Sequence, residues 1–304
     1  MTRADFDVLY DEVATSARWA EHGERGTLNY LTPQRVAAAA RLVRDGVTVS
    51  LGLPLATEAR IDNPQPAIHR MTLLPDANPG PGPVRFAKDY VGVDFHNEGH
   101  SHIDALSHVS FRDCFYGGQP ISSVTEAGAA AGAVDLIADG LVGRGVLVDV
   151  PRSRGVRWLD PGDHVSVADL ETALRDQDVT VMPGDVLLVR TGHTRRRADL
   201  APWDTSHAKA GVHAEVTRFL ASHRVAVLGS DGNNDAAPSA VEGVDFPIHV
   251  LAVHAMGMHL LDFLRFEELA EACERRRRWE FLCVVAPLRI DGGTGSPVNP
   301  IAIF

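Results

Sequence analysis

HNEGHSHIDALSHV, residues 96–109, brings His96, Glu98, His100, His102, Asp104 and His108 together within one short segment. All of these positions are even-numbered. On an extended strand alternate side chains share a face, so Glu98, His100, His102 and Asp104 are predicted to project to one side. Neutral imidazole combined with carboxylate suits a divalent ion such as Zn, Mn or Fe. A solvated polar loop is the competing reading. It is the weaker one, because burying such a cluster without a metal or strong pairing costs several kcal/mol per charged group.

The sequence around this segment reads as an α/β scaffold. Residues 47–55, VTVSLGLPL, form a predicted strand turning at Gly52 and Pro54. Short apolar runs bounded by Gly, Pro and Asp follow at Gly145–Val150, Asp185–Arg190, Val225–Gly229 and Phe281–Leu288. Helical periodicity is read at 33–45, where Pro33 follows the capping residue Thr32, and at Val167–Arg175, Val212–Ser222 and Phe266–Arg275. Strands alternating with helices support an α/β or α+β architecture. Residues 58–84 are rich in Pro, Asn and Asp and are read as a long loop. With no internal repeat or low-complexity linker, residues 1–304 are read as one domain with a loop-rich N-terminal section.

Composition narrows the function classes. The formal net charge of −11 argues against general affinity for nucleic acid or an anionic membrane. The basic run Arg275–Arg278 is short, lies between Glu274 and Glu280, and reads as a solvated helix end. Cys114, Cys273 and Cys283 form no CxxC pair and are odd in number, so neither a disulfide framework nor a zinc–thiolate site is expected. The acidic N-terminal stretch lacks the apolar core of a signal peptide, and no apolar run is long enough to span a bilayer. A cytoplasmic setting is expected. A GxSxG elbow, a GxxxxGK[ST] loop and a dinucleotide fingerprint are all missing, and no motif around Cys114 supports a thiol nucleophile.

The 96–108 run resembles the cyclase family of metal-dependent hydrolases, which includes bacterial kynurenine formamidase and isatin hydrolase and carries His-x-Gly-Thr-His-x-Asp-x-Pro-x-His. His102, Asp104 and His108 fall on the second His, the Asp and the last His, and Ser101 falls on the Thr. Glu98 stands at the first His, His100 at the Gly and Leu106 at the Pro. The third ligand is therefore Glu98 itself, or His96 or His100 after a local backbone shift. The resemblance continues through SLGLPL (50–55), GDVLLVRTG (184–192), VAVLGSDGNNDAAPS (225–239), the 246–269 segment and the C-terminal GSPV ending.

The resemblance implies a swivelling β/β/α fold around a central metal, Zn or Mn. It implies His249 as a further ligand, with Asp262 the nearest match to a later ligating Glu. The Asp side chain reaches about 1.5 Å less, comparable with a metal–oxygen bond, which favours one tight metal over two. His108 matches the family's catalytic His, so general base and then general acid are its implied roles. The implied reaction is cleavage of an amide, cyclic imide, lactam or lactone by a metal-activated water. A cyclase or dehydratase using the same site without hydrolysis is the alternative.

A small-molecule substrate is expected, with His69, Arg70 and Phe86 as candidates for holding a carboxylate and an apolar ring. Trp19, Tyr30 and Tyr90 are further candidate pocket walls. A homodimer or homotetramer is implied by the resemblance. His254 and His259 read equally as core or capping residues, and Asp262 equally as a cap for the helix near Phe266. Asp231, Asn233, Asn234 and Asp235 are read chiefly as a turn after a strand, with some contribution to pocket shape. Gly292, Gly293 and Gly295 read as turn glycines.

Overall fold

The computed structural model describes residues 1–16, 23–76 and 83–304. Its centre is a mixed sheet. Leu141–Asp149, Val186–Arg190, Val227–Ser230 and His259–Asp262 run parallel to one another. Antiparallel strands extend it on both sides. Glu280–Val285, Ile301–Ile303 and Thr48–Ser50 add beyond Leu141–Asp149, while His102–Asp104 and Gly295–Pro297 add beyond His259–Asp262.

Gly295–Pro297 and Ile301–Ile303 thus lie towards opposite margins of the sheet, yet only residues 298–300 join them. So short an extended link reaches roughly 14 Å. The sheet must therefore curl until its margins approach, which folds His102–Asp104 in towards the centre.

Burial on both faces follows from strand alternation. Val146, Val148, Leu187, Val189, Leu228 and Leu260 enter one apolar core, and Leu147, Val186, Leu188, Val227 and Leu261 enter the other. The first core is closed by the N-terminal helix Arg3–Ser16, whose Phe6, Leu9 and Val13 recur at helical spacing. That helix has no counterpart in the sequence reading. The predicted strands appear within a few residues of their expected bounds, and the predicted helices appear at Pro33–Ala40, Val167–Asp176, Val216–Ser222 and Glu267–Arg276, although Val212, expected to begin the third, instead pairs as a short strand with Val165. The 58–84 segment is not all loop, because Ile68–Leu73 pairs antiparallel with Lys88–Gly92.

Helix Val167–Asp176 begins with a reciprocal capping box. The Ser166 hydroxyl accepts from the Asp169 backbone N–H, and the Asp169 carboxylate accepts from the Ser166 backbone N–H. Ser166→Ala is expected to destabilise the protein by about 1 kcal/mol. Urea denaturation followed by circular dichroism measures this, and an unchanged midpoint would contradict it.

All three cysteines are free, with Cys273 and Cys283 buried. Among the described residues no helix is long and apolar enough to cross a membrane.

A candidate metal centre

Strand alternation holds for His102 and Asp104 but not upstream of them. Only His102–Asp104 is extended, and residues 96–100 form bends and a turn. The same-face expectation for Glu98 and His100 therefore fails for a local reason: the backbone turns before the strand begins. That turn carries His96 into the cluster instead. The His96 Nδ1 lies 3.0 Å from Asp104 Oδ1, and its Nε2 is 3.1 Å from the Thr294 hydroxyl. Gly295 allows this approach, because a Cβ there would stand 2.4 Å from the Ile103 carbonyl oxygen and 2.8 Å from His96 Cε1.

Asp104, wholly buried, is the hub. Its Oδ1 is 3.6 Å from His102 Nε2 and 4.0 Å from His108 Nε2, and its Oδ2 is 3.3 Å from His249 Nε2. Asp262 Oδ2 lies 3.5 Å from the same His249 nitrogen and 4.0 Å from His102 Nε2. Two overlapping groups of potential ligand atoms result, His96–His102–Asp104 and Asp104–His108–His249, each lying within 4.8 Å. Glu98 and His100 belong to neither. His100 is fully buried, and Glu98 forms an ion pair with the buried Lys209.

The surrounding bonds fix which nitrogens face inwards. His102 Nδ1 is 2.8 Å from the His100 carbonyl oxygen, which can only accept, so Nδ1 carries the proton and the Nε2 lone pair faces the cluster. His249 Nδ1 is 2.6 Å from Asp235, whose carboxylate also accepts from the Ile248 and His249 backbone N–H groups. Asn234, in the left-handed region at φ 54°, donates to Asp262 Oδ1. The Asp231–Asp235 stretch, read mainly as a turn, therefore orients the second half of the cluster. Asp262 caps no helix but ends its strand inside the site.

The residues fit a divalent cation. Asp104 Oδ1 and Oδ2, Asp262 Oδ2 and His96 Nδ1 are buried without a hydrogen-bond partner, and the contacts above direct them to one space. Burial opposes ionisation of Asp104, but His108, His249, His96 and His102 hold its pKa well below the usual carboxylate range. Burial also opposes protonation of His249, yet Asp104, Asp235 and Asp262 raise its pKa well above the ordinary value. A proton held among carboxylates is the counter-charge that a cation replaces. His108 differs. Burial pushes its pKa down to about 4 against the pull of Asp104, so its imidazole is neutral at pH 7. It stacks on His96 at 3.8 Å and remains partly exposed.

The cluster opens onto a cavity of about 420 Å³ lined by His96, Glu98, His102, His108, Asn233, Phe246, His249, Asp262 and Phe263, among others. Phe263 sits at φ 52°, unusual for a bulky residue and common at functional sites. A second cavity, of about 340 Å³, shares Glu98 and Phe263 with the first.

Several candidates lie elsewhere. His69 pairs with Asp89 across the exposed hairpin, Arg70 covers the Tyr90 ring at 5.0 Å, and Phe86 is 65% exposed; none of the three lines the cavity. Tyr30 and Tyr90 do not line it either, and Trp19 falls outside the described residues. His259 is a buried strand residue, and His254 bonds to the Tyr10 hydroxyl.

The Cyclase family profile matches residues 27–234. The chain belongs to the cyclase family. This cyclase-family chain is 32% identical to a crystal structure described as a novel cyclase, with a TM-score of 0.87 over 97% of this chain and 99% of the other. Isatin hydrolase A from Labrenzia aggregata, in a structure bound to benzyl benzoate, is 21% identical, with a TM-score of 0.61 over 88% and 97% of the two chains. A potential metal-dependent hydrolase with cyclase activity is 16% identical, with a TM-score of 0.52 over 84% and 98%. The last two likenesses are of fold. Among curated proteins nothing matches the chain.

Proposed function

We propose that this protein is a metal-dependent hydrolase that opens an amide, cyclic imide, lactam or lactone in a small-molecule substrate. The observation carrying this reading is the convergence of His96 and His102 on the orphaned, buried oxygens of Asp104, beside the neutral His108, next to an open cavity that both histidines line.

His96, His102 and Asp104 would hold the ion, and His249 and Asp262 offer further donor atoms next to Asp104 and His102. This mixed imidazole and carboxylate set suits Zn or Mn. When bound, such an ion supplies Lewis acidity, polarising a carbonyl and acidifying water. His108 takes a proton from the attacking water and returns it to the leaving nitrogen or oxygen, a role open to an imidazole that is neutral at working pH. Phe246 and Phe263 form apolar walls that hold a flat carbonyl substrate and limit bulk water. Asp235, bonded to His249 Nδ1, keeps that imidazole turned inwards.

Elemental analysis of the purified protein, followed by a screen of lactams, imides and lactones in H₂¹⁸O, tests the proposal. Near-stoichiometric Zn or Mn and one solvent oxygen in the product are expected. Absence of metal after reconstitution overturns it. Turnover without solvent oxygen transfers the site to the cyclase or dehydratase reading.

A further inference from the structure

We propose that Lys209 is a positioning residue that decides which side chains are available to the metal: it holds Glu98 in an ion pair and so leaves His96 as the ligand from the 96–100 turn. The inference rests on the metal-site reading above. It adds a device that this reading does not contain.

Glu98 should compete for the ion. It lies between His96 and His102 in sequence, lines the same cavity, and is a carboxylate. Yet its Oε1 is bonded to Lys209 Nζ, and its Oε2 is buried without a hydrogen-bond partner. Glu98 thus lines the cavity of the cluster but stands outside both groups of potential ligand atoms, held by Lys209.

Lys209 is built to keep it there. Its side chain is 2% exposed, and Glu98 is the carboxylate with which it pairs. A buried ammonium that loses its partner is strongly penalised, so the pair resists opening even when a cation is nearby. The Lys209 backbone cannot follow a moving Glu98. Its N–H donates to the Ala237 carbonyl at 3.0 Å, and its carbonyl accepts from Ala237 at 2.9 Å and Gly162 at 3.1 Å. Ala237 closely follows Asn234 and Asp235, which hold Asp262 and His249. The ammonium that holds Glu98 is therefore anchored by its backbone to the same stretch that carries the groups bonded to Asp262 and His249.

The charge balance supports the assignment. With Glu98 neutralised by Lys209, the cluster keeps Asp104 and Asp262, two carboxylates against one divalent cation. Released, Glu98 would add a third carboxylate and an oxygen donor. That would favour higher coordination and harder ions.

The test uses Co(II) as probe, added to the metal-free full-length protein, and reads stoichiometry and visible absorption. Glu98→Gln is expected to bind one equivalent of cobalt with the wild-type spectrum, and His96→Ala to lose uptake or change the spectrum. Lys209→Met is expected to lose visible intensity several-fold as Glu98 enters the coordination sphere. The wild-type spectrum should return in Lys209→Met/Glu98→Gln and be kept in Lys209→Arg. A merely structural lysine would not give a spectral change that Glu98→Gln reverses. The inference is overturned if Glu98→Gln alters the wild-type spectrum, or if folded Lys209→Met matches wild type. Should Lys209→Met fail to fold, the single variants decide: cobalt lost in His96→Ala and kept in Glu98→Gln supports the assignment, and the reverse overturns it. Wild-type protein that takes up no cobalt overturns the metal reading itself, an outcome separate from any result in which wild type binds cobalt.

Discussion

Asp104→Ala is expected to leave the protein without bound metal and to lower turnover by roughly a thousandfold or more, because Lewis-acid catalysis contributes several kcal/mol and about 1.4 kcal/mol is tenfold. Asp104 is wholly buried, and its two oxygens lie between His96, His102, His108 and His249. Among the described residues no other carboxylate lies within 4.0 Å of all four imidazoles of the cluster. Without it the site is a set of histidines with Asp262 as the remaining carboxylate near its centre.

Two measurements check the expectation. Elemental analysis should find metal in wild type and none in Asp104→Ala, with His102→Ala behaving alike. Thermal scans should show wild type losing stability on chelation, by about 2.7 kcal/mol where free metal had stood at a hundred times its dissociation constant. Asp104→Ala should show no response to chelator. A variant that retains stoichiometric metal would remove Asp104 from the ligand set and leave its burial unexplained.

Legibility in the sequence followed the range of the forces involved. Strands such as Val186–Arg190 and Val227–Ser230 are buried on both faces, so their apolar runs announce them. His102 and Asp104 share a face because strand alternation is a local property of the backbone. The same rule misdirected the reading of Glu98 and His100, because the strand begins only at His102 and nothing in the residue pattern marks that start. His96 enters through the turn and through Gly295, almost two hundred residues later, and that contact has no local signal.

The Asp231–Asp235 stretch has turn composition and does turn. Its second role, orienting His249 and Asp262, depends on the parallel pairing of Val227–Ser230 with His259–Asp262. His69 and Arg70, expected as substrate contacts, sit on a hairpin that cross-strand pairing builds outside the cavity, and Phe86 lies exposed just before its second strand. A carboxylate or imidazole announces what it can bind. Only tertiary packing decides whether it faces a site or a partner such as Lys209.

His108→Ala is expected to keep its full metal content while losing turnover by roughly 10² to 10⁴-fold, the range for removing a general acid–base residue. Its Nε2 is 4.0 Å from Asp104 Oδ1, beyond hydrogen-bond distance, and its side chain is the most exposed of the cluster imidazoles, at 30% against 18% for His96, 8% for His249 and 5% for His102. Burial and the neighbouring imidazoles keep it neutral at pH 7, so its lone pair is open to a proton. Its exposure suits proton exchange with the cavity, while its Nε2 also lies within ligand spacing of Asp104 and His249, so the two roles must be separated by measurement. The imidazole stacks flat on His96, which sets its plane without a hydrogen bond and leaves its outer edge towards the cavity. Metal analysis alongside steady-state kinetics separates the two roles. Metal retained with kcat lost assigns proton transfer to His108, whereas metal lost together with activity makes it a ligand and moves the search for the base to the rest of the cavity wall. His108→Gln sharpens the comparison: it offers an amide of similar reach, with no basic nitrogen, so it should pack against His96 and keep the metal yet fail to recover the rate.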